Sequence, residues 1–191
     1  SLATRRFPLS RAAEVLIELP IILPPAVAGL ALLLMLGRRG WMGGAFADAG
    51  ISLAFTTAAV VIAQLFVSAP FFIRSAQGGF TSVPAEVIQA ARVDGANELA
   101  IFWYIMLPLA RRALTAGLVL SWARAMGEFG ATILFAGSIQ GRTQTMPLFI
   151  YNVIERDLGA AMWAGVILVI VALGALALAQ FLRRGEALTL V

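Results

Sequence analysis

Four long apolar runs constrain the fold of this chain more than any other feature. Crossing the hydrocarbon core of a bilayer takes about 20 mostly apolar residues in a helix, and each run meets that length. The 191 residues are 61% hydrophobic and 13% charged, which is too apolar for a soluble domain of this size. The sequence therefore predicts an all-α fold, a polytopic helical membrane protein forming one domain over residues 1–191. The predicted spans are residues 15–36, 51–73, 113–135 and 160–182.

Two of the four runs contain residues that are unusual inside a membrane. The first holds Pro20, Pro24 and Pro25, and proline removes a backbone N–H and kinks a helix, so we expect a bend or a break there. The third holds Arg124 and Glu128. Because a lone charge at mid-bilayer costs at least about 2.5 to 3.5 kcal/mol, these two side chains are expected to pair inside the helical bundle.

The arginines give the chain an orientation. All 14 basic residues are arginines, and nine of them fall on one side of the predicted spans. The positive-inside rule makes that side cytoplasmic, together with both termini and the long connection 74–112. The net charge of +4 then indicates contact with anionic lipid and no binding of nucleic acid. The nine are Arg5, Arg6, Arg11, Arg74, Arg92, Arg111, Arg112, Arg183 and Arg184.

Composition also limits the chemistry. The chain has no cysteine and no histidine, so we predict no cofactor, no metal site of the Cys/His type and no thiol or imidazole catalysis. Carboxylates remain, but Glu14, Glu18 and Glu128 are spread without a recognisable catalytic motif. An intramembrane enzyme is therefore a weak alternative. Ser1 in place of an initiating Met predicts that the chain starts within a longer one.

The connection 74–112 is predicted to hold two short helices around a turn at Gly95. Residues 85–94 and 96–107 each carry an apolar stripe, Asn97 is placed to cap the second helix, and Pro108 is expected to open the next span. Polar residues gather at the turn between the two stripes. Such a helix pair fits a groove on a soluble partner, and the alternative is a pair lying on the membrane surface.

The same connection carries a motif. Residues 89–95 read Gln-Ala-Ala-Arg-Val-Asp-Gly, and residues 105–108 read Ile-Met-Leu-Pro. This spacing resembles the EAA loop of ATP-binding-cassette (ABC) importer permeases, which reads Glu-Ala-Ala, three residues, Gly, nine residues, then Ile-x-Leu-Pro. One departure is Gln89, which replaces the first Glu. The residues matched to ATPase coupling are Gln89, Ala90, Ala91, Arg92, Asp94, Gly95, Ala96, Ile105, Leu107 and Pro108.

The resemblance implies a fold, partners and a location. The fold would be an ABC importer type I transmembrane domain, in the plasma membrane of a prokaryote. Its partners would be two copies of an ATPase subunit, a second permease copy in a homodimer and an external substrate-binding protein. The chain itself would be non-catalytic, and it contains no lysine and no G-x-x-x-x-G-K-[ST] phosphate loop.

A second resemblance concerns the substrate. Residues 123–133 and 141–147, with Tyr151, are similar to the permease subunit of molybdate/tungstate importers, and sulfate permeases are similar over the first part. The likeness runs from about residue 19 to residue 182. It implies import of molybdate or tungstate, with sulfate or thiosulfate as the alternative. These permeases usually have at least one more span at the N-terminus, which agrees with an internal start at Ser1.

The charged pair of the third span is a candidate site. Arg124 and Glu128 are four residues apart and thus predicted to share one helix face, where they would line the translocation path, form a gate, or hold the bundle together. Gly127 and Gly130 are predicted to be close-packing positions, which favours the structural alternative. The full candidate set for the path or gate is Arg124, Gly127, Glu128, Gly130 and Thr132.

A different class of transporter remains open. A secondary anion transporter or a channel would also be helical and would also use buried charges, but it has no need of a dock for a soluble ATPase. Uptake that follows an ion gradient, together with purification free of any ATPase, would favour that class.

Overall fold

A computed structural model describes residues 8–184, and this part of the chain is all-α, with ten α-helices and no strand. Ser1, Arg5, Arg6 and the C-terminal residues 185–191 lie outside the described residues, so the predictions that concern them are not addressed by it. A π-helical segment, Phe102–Met106, joins α6 to α7 without a break. The helices are α1 (Pro8–Ile22), α2 (Pro25–Leu36), α3 (Gly43–Asp48), α4 (Thr57–Thr81), α5 (Ala85–Val93), α6 (Glu98–Ile101), α7 (Leu107–Met126), α8 (Gly130–Phe135), α9 (Met146–Val153) and α10 (Leu158–Arg184).

Three helices of the described part are long and apolar enough to cross a membrane. They are Thr57–Thr81, the continuous helix Glu98–Met126, and Leu158–Leu178 within α10. The prediction of an all-α, polytopic helical membrane protein is confirmed.

The first predicted span, residues 15–36, consists of two helices. Helix α1 ends at Ile22 and α2 begins at Pro25, with Pro24 extended between them (φ −53°, ψ 134°). Neither Pro24 nor Pro25 has an N–H, so a continuous helix would leave two carbonyls without partners. The predicted break is confirmed, whereas Pro20 is accommodated inside α1.

The second predicted span begins too early and ends too early. Residues 51–55 are apolar but not helical; α4 begins at Thr57, where the Thr56 hydroxyl accepts a hydrogen bond from Ala59 N–H at 3.3 Å. At the other end α4 continues to Thr81, eight residues past the predicted limit of 73. Hydropathy identified the apolar stretch but not the ends of α4. The Thr56 cap sets its first residue, and hydrogen-bonded polar side chains in its last two turns extend it past the apolar stretch.

The third predicted span, residues 113–135, is also displaced. Its helix begins at Glu98 and ends at Met126, and Gly130–Phe135 forms the separate helix α8. The predicted polar connection 74–112 therefore shrinks to about residues 82–97, because both flanking helices extend into it.

Helices α4 and α7 pack along each other through small residues. The Ser75 hydroxyl donates to the Ala113 carbonyl at 2.7 Å, and the Ser121 hydroxyl donates to the Ser68 carbonyl at 2.9 Å. A methyl group added at Gly117 would lie 2.5 Å from Ser75 Cβ. Small side chains allow two backbones to approach closely, and in an apolar medium such packing, with hydroxyl-to-carbonyl bonds, is what holds helices together.

Helix α8 packs equally closely against α2. A Cβ at Gly29 would lie 2.6 Å from the Ala131 carbonyl oxygen, and one at Gly130 would lie 2.9 Å from the Ala26 nitrogen. Around this contact a buried cluster joins α2, α4 and α8. Its members are Ala28, Leu32, Ala54, Ala59, Ala63, Val67, Ala131, Phe135 and Ala136.

Gly29→Ala is expected to destabilise the protein by about 1 to 3 kcal/mol, because the added methyl meets rigid backbone of α8 and one of the two helices must shift. Gly165→Ala in α10 is the matched control: nothing lies within 4 Å of its added methyl, and alanine is favoured over glycine in a helix by about 0.5 to 1 kcal/mol. Thermal unfolding of the purified variants in detergent measures both. Equal midpoints for the two variants would contradict the close α2–α8 contact.

Candidate coupling surface and buried ion pair

The chain reverses between α5 and α6 through a turn centred on Gly95. Gly95 has φ +85°, a conformation that side chains bearing a Cβ rarely adopt. The Gly95 N–H donates to the Arg92 carbonyl at 3.1 Å, and the Ala96 N–H donates to the Ala91 carbonyl at 2.9 Å. These two bonds form a Schellman motif, which satisfies the last carbonyls of α5. Gly95 is thus required by the backbone angle and not by lack of space, since a methyl there would touch nothing within 4 Å.

Side chains hold the turn from both sides. Arg92 near the end of α5 meets Glu98 at the start of α6, with Nε and Nη2 at 3.0 and 2.9 Å from Oε1. The Asn97 side chain accepts from the Ala100 N–H at 2.7 Å, which confirms the predicted cap. The ion pair is exposed, so its net contribution to stability is small, about 0 to 1 kcal/mol, and its main effect is to orient the two helices.

The tip of this turn is an exposed surface with apolar side chains. No residue of α5 is buried, and Val93 and Leu99, on either side of Gly95, are 86% and 67% exposed. Trp103 and Tyr104 extend the surface along the π-helical segment, at 56% and 83% exposed. Val93 lies outside the helices long enough to cross a membrane, and an apolar side chain this exposed beside a fixed polar turn is typical of an interaction site. We call residues 85–99 the coupling turn.

The sequence-predicted coupling residues divide into two groups. Seven of them lie in the coupling turn, namely Gln89, Ala90, Ala91, Arg92, Asp94, Gly95 and Ala96. Ile105 and Leu107 are half-buried in the stem of the helix that follows.

Pro108 was expected to open a spanning helix, and that expectation is wrong, because the helix has already run from Glu98. The Leu107 N–H donates to the Phe102 carbonyl, a π-type bond one residue longer than the α-helical one. Proline lacks an N–H, and this local π turn accommodates it without breaking the helix.

The Arg124–Glu128 pair lies where α7 ends. Arg124 Nη1 is 2.9 Å from Glu128 Oε2, and Glu128 is 1% exposed while the Arg124 side chain is 30% exposed. The pairing was predicted, but the setting differs: α7 stops at Met126, so Glu128 stands in the break before α8 rather than on a helix face. Its second oxygen, Oε1, accepts from the Ala131 N–H at 2.8 Å. Glu128 thereby neutralises Arg124 and satisfies a free N–H of α8 at once.

The other three residues of the predicted path differ in their surroundings. Gly130 is tightly packed against Pro25 and Ala26, as expected, whereas the nearest atom to an added Cβ at Gly127 is 4.0 Å away, so Gly127 is not a close-packing position. Thr132 is fully buried, and its hydroxyl has no hydrogen-bond partner among residues 8–184. Beside the pair lies an open groove of about 520 Å³ between the α1–α2 break and α8. Its lining includes Pro24, Pro25, Ala26, Arg124, Gly127, Glu128 and Gly130.

Like the Arg92–Glu98 pair, a further ion pair was not predicted. Arg74, near the end of α4, pairs with Glu18 of α1, and Arg74 Nη1 also donates to Gln77 Oε1 at 3.3 Å. Both side chains are a little under half exposed. An isolated Glu in an apolar run was the available signal, because such a residue needs a partner. The partner lies 56 positions away in the sequence (74 − 18), beyond the reach of helical spacing rules.

The arrangement defines a class: a polytopic helical membrane protein with an exposed helix–turn–helix at the end of its two closely packed central helices. Residues 1–184 match the family described as the inner membrane component of binding-protein-dependent transport systems. The chain belongs to that family.

Three named relatives are similar to this chain over most of its length. The chain is 46% identical over 171 residues to the molybdenum transport system permease protein ModB of Mycobacterium bovis, covering 90% of this chain and 65% of that protein. It is 42% identical over 153 residues to the probable transport system permease protein NifC of Clostridium pasteurianum, covering 80% and 54%. A sulfate transport system permease protein, CysW of Synechocystis, is 37% identical over 184 residues, covering 96% and 67%. The chain thus spans about half to two thirds of the length of these relatives.

The unequal burial of the Arg124–Glu128 pair predicts unequal effects of neutralising each partner. Arg124→Gln leaves an unpaired carboxylate at 1% exposure and is expected to cost about 3 to 5 kcal/mol. Glu128→Gln keeps an acceptor for Ala131 N–H and leaves Arg124 a route to solvent, so about 1 to 2 kcal/mol is expected.

The double variant Arg124→Gln/Glu128→Gln is the control. It removes the uncompensated charge, so its thermal midpoint should lie nearer to that of Glu128→Gln than to that of Arg124→Gln. Additive losses in the double variant would show that the two side chains do not interact.

Proposed function

We propose that the chain is the membrane-spanning permease subunit of an ATP-driven ABC importer for a tetrahedral oxyanion, most specifically molybdate or tungstate. The coupling turn is the observation that carries the transport class: an exposed apolar tip held by Gly95 and by the Arg92–Glu98 pair supports docking to a soluble partner. The name of a relative at 46% identity, a molybdenum transport system permease protein, supports the substrate class.

The proposed partner of the coupling turn is an ATPase subunit. Val93 and Leu99 would enter a cleft on its surface, and the polar groups around Gly95 would fix the orientation. Closure of two ATPase subunits on ATP would pull on α5 and α6. Since α6 continues through the π-helical segment into α7, the pull would reach the membrane helices directly. The permease itself would hydrolyse no ATP.

The proposed complex contains two copies of this permease, two ATPase subunits and an external substrate-binding protein. The family description supports dependence on a binding protein. The excess of arginine around the coupling turn supports a cytoplasmic location for it and for the C-terminus, in the plasma membrane of a prokaryote.

The proposed translocation path or gate involves Arg124, Gly127, Glu128, Gly130 and Thr132. Its support is the open groove beside the ion pair, together with the break between α7 and α8 that brings backbone into that groove. Non-helical backbone at membrane depth is tolerated where it is buried in protein or lines a cavity. Arg124 would supply positive potential to a passing anion. In the pathway role, Arg124 would release Glu128 and bind the anion; in the gate role, the Arg124–Glu128 pair would stay formed and close the path.

Two substitutions at Gly95 test the coupling turn. Gly95→Val is expected to weaken copurification of the ATPase subunit and to abolish uptake, because a β-branched residue does not tolerate φ +85°. Gly95→Asn is the matched control. Asparagine adopts positive φ more readily than other residues with a side chain, so this variant should keep most of the ATPase copurification and most of the uptake. Copurification of the ATPase subunit is measured by pull-down, and uptake is measured in proteoliposomes. Full activity of Gly95→Val would sink the assignment of this turn to coupling.

Substrate choice is tested with the reconstituted complex. We expect ATP-dependent uptake of radiolabelled molybdate that unlabelled tungstate inhibits strongly and sulfate only weakly. Sulfate transport is the second candidate, favoured by the likeness to the Synechocystis sulfate permease. Strong uptake of sulfate with little of molybdate would select it. Uptake that ignores ATP and follows an ion gradient would instead support a secondary transporter or channel.

A further inference from the structure

A cavity of about 540 Å³ lies at the end of α4 opposite to the coupling turn. Three separate connections meet there. The segment after α2 contributes Arg38, the segment before α4 contributes Ser52, Phe55 and Thr56, and the connection between α8 and α9 contributes Arg142. The Thr57 hydroxyl donates to the Arg142 carbonyl at 3.2 Å, which ties that connection to the start of α4.

The lining of this cavity is positively charged. Within the described part of the chain, two arginines line it and no carboxylate does. Arg38 and Arg142 are exposed, and neither forms an ion pair with a carboxylate of residues 8–184; Arg38 Nε donates a hydrogen bond to Ser52 Oγ at 3.4 Å. Two unneutralised guanidinium groups on one concave surface raise the local concentration of anions. Guanidinium N–H groups also match the oxygens of oxyanions in geometry.

Backbone strain marks the same place. Phe55 has φ +61°, an outlier for a bulky residue, and Phe55 is the one non-glycine residue with positive φ in the described part of the chain. Its N–H donates to the Phe135 carbonyl of α8 at 3.2 Å. Its ring stands against Gly137, where an added Cβ would lie 3.1 Å from Phe55 Cδ1. Such strain costs about 1 to 3 kcal/mol and clusters at functional sites.

The cavity is far from the coupling turn. Helix α4 has 25 residues and therefore spans about 37 Å between the two. If the coupling turn faces the cytoplasm, the cavity opens on the outer side, where a substrate arrives.

We propose that this cavity is an outer transit site for a hydrated tetrahedral oxyanion, with Arg38 and Arg142 as its charged ligands and the Ser52 hydroxyl as a neutral one. The choice of anion rests on the proposed function. At about 540 Å³ the cavity holds the anion together with several waters, each of which takes about 30 Å³. Binding through water and two arginines is weak, so the anion leaves the site readily, as transit requires.

The test uses the complete permease–ATPase complex in lipid nanodiscs, without binding protein and without ATP. Equilibrium binding of radiolabelled molybdate is measured for the wild type and for Arg38→Gln and Arg142→Gln. Each substitution is expected to weaken binding about tenfold, as for loss of one charge-assisted hydrogen bond. Arg39→Gln is the matched control, because Arg39 is exposed beside Arg38 and does not line the cavity, and it should bind as the wild type does. Wild-type binding should also weaken as salt is raised.

Three results would overturn the proposal. One is a wild-type complex that takes up molybdate with ATP but binds none without its binding protein. Another is equal loss in Arg39→Gln and Arg142→Gln, which would indicate general surface charge. The third is unchanged anion binding in both cavity variants with weaker docking of the binding protein, which would make this face a protein-docking surface. Retained copurification of the ATPase subunit checks that each variant is folded. Absence of ATP-driven oxyanion uptake in the wild type would instead refute the proposed function.

Discussion

The close contact between α4 and α7 is the interaction on which the rest of the structure depends. Ser75, Gly117 and Ser121 let the two backbones approach, and hydroxyl groups bond to carbonyls across the contact. Large apolar side chains would give no such advantage, because the surrounding lipid is equally apolar. The pair forms a rigid stem with the coupling turn at one end. At the other end, α7 gives way to the break that contains Glu128.

The break between α7 and α8 leaves backbone groups without partners in a helix. Away from water, each of these groups must be satisfied by another part of the protein. At residues 127–129 the hydrogen bonds of the helix are interrupted, and Glu128 serves both as partner of Arg124 and as acceptor for the Ala131 N–H. The short helix α8 can then pack against α2 through Gly29. A charged pair in this position is consequently a structural element of the break. It is one contact through which a movement of α7 can reach α8, and the packing of α4 against α7, α8 and α2 is another.

Much of the fold was predictable from the sequence, and the features that were missed were missed for physical reasons. Apolar length predicted the membrane class, tandem prolines predicted the α1–α2 break, and Asn97 predicted a helix cap. Helix ends were missed, because hydropathy does not locate them. Helix α4 ends at Thr81, where the Thr81 and Ser82 hydroxyls bond to carbonyls of its last turns, and α7 ends at Met126, before Glu128. Contacts between distant segments were missed as well. Neither the Glu18–Arg74 pair nor the meeting of three connections at Arg142 has a periodic signal in the sequence.

The central claim is that the coupling turn faces the cytoplasm and docks an ATPase subunit. The chain has no cysteine, so Val93→Cys, at a position 86% exposed, provides a single labelling site, and Trp41→Cys, 93% exposed near the opposite end of α4, is its counterpart. Labelling with a membrane-impermeant maleimide should modify Val93→Cys only in inside-out vesicles, and the bound ATPase subunit should block it. Trp41→Cys should react only in right-side-out vesicles. Equal labelling of Val93→Cys from both sides, or no protection by the ATPase subunit, would contradict the account.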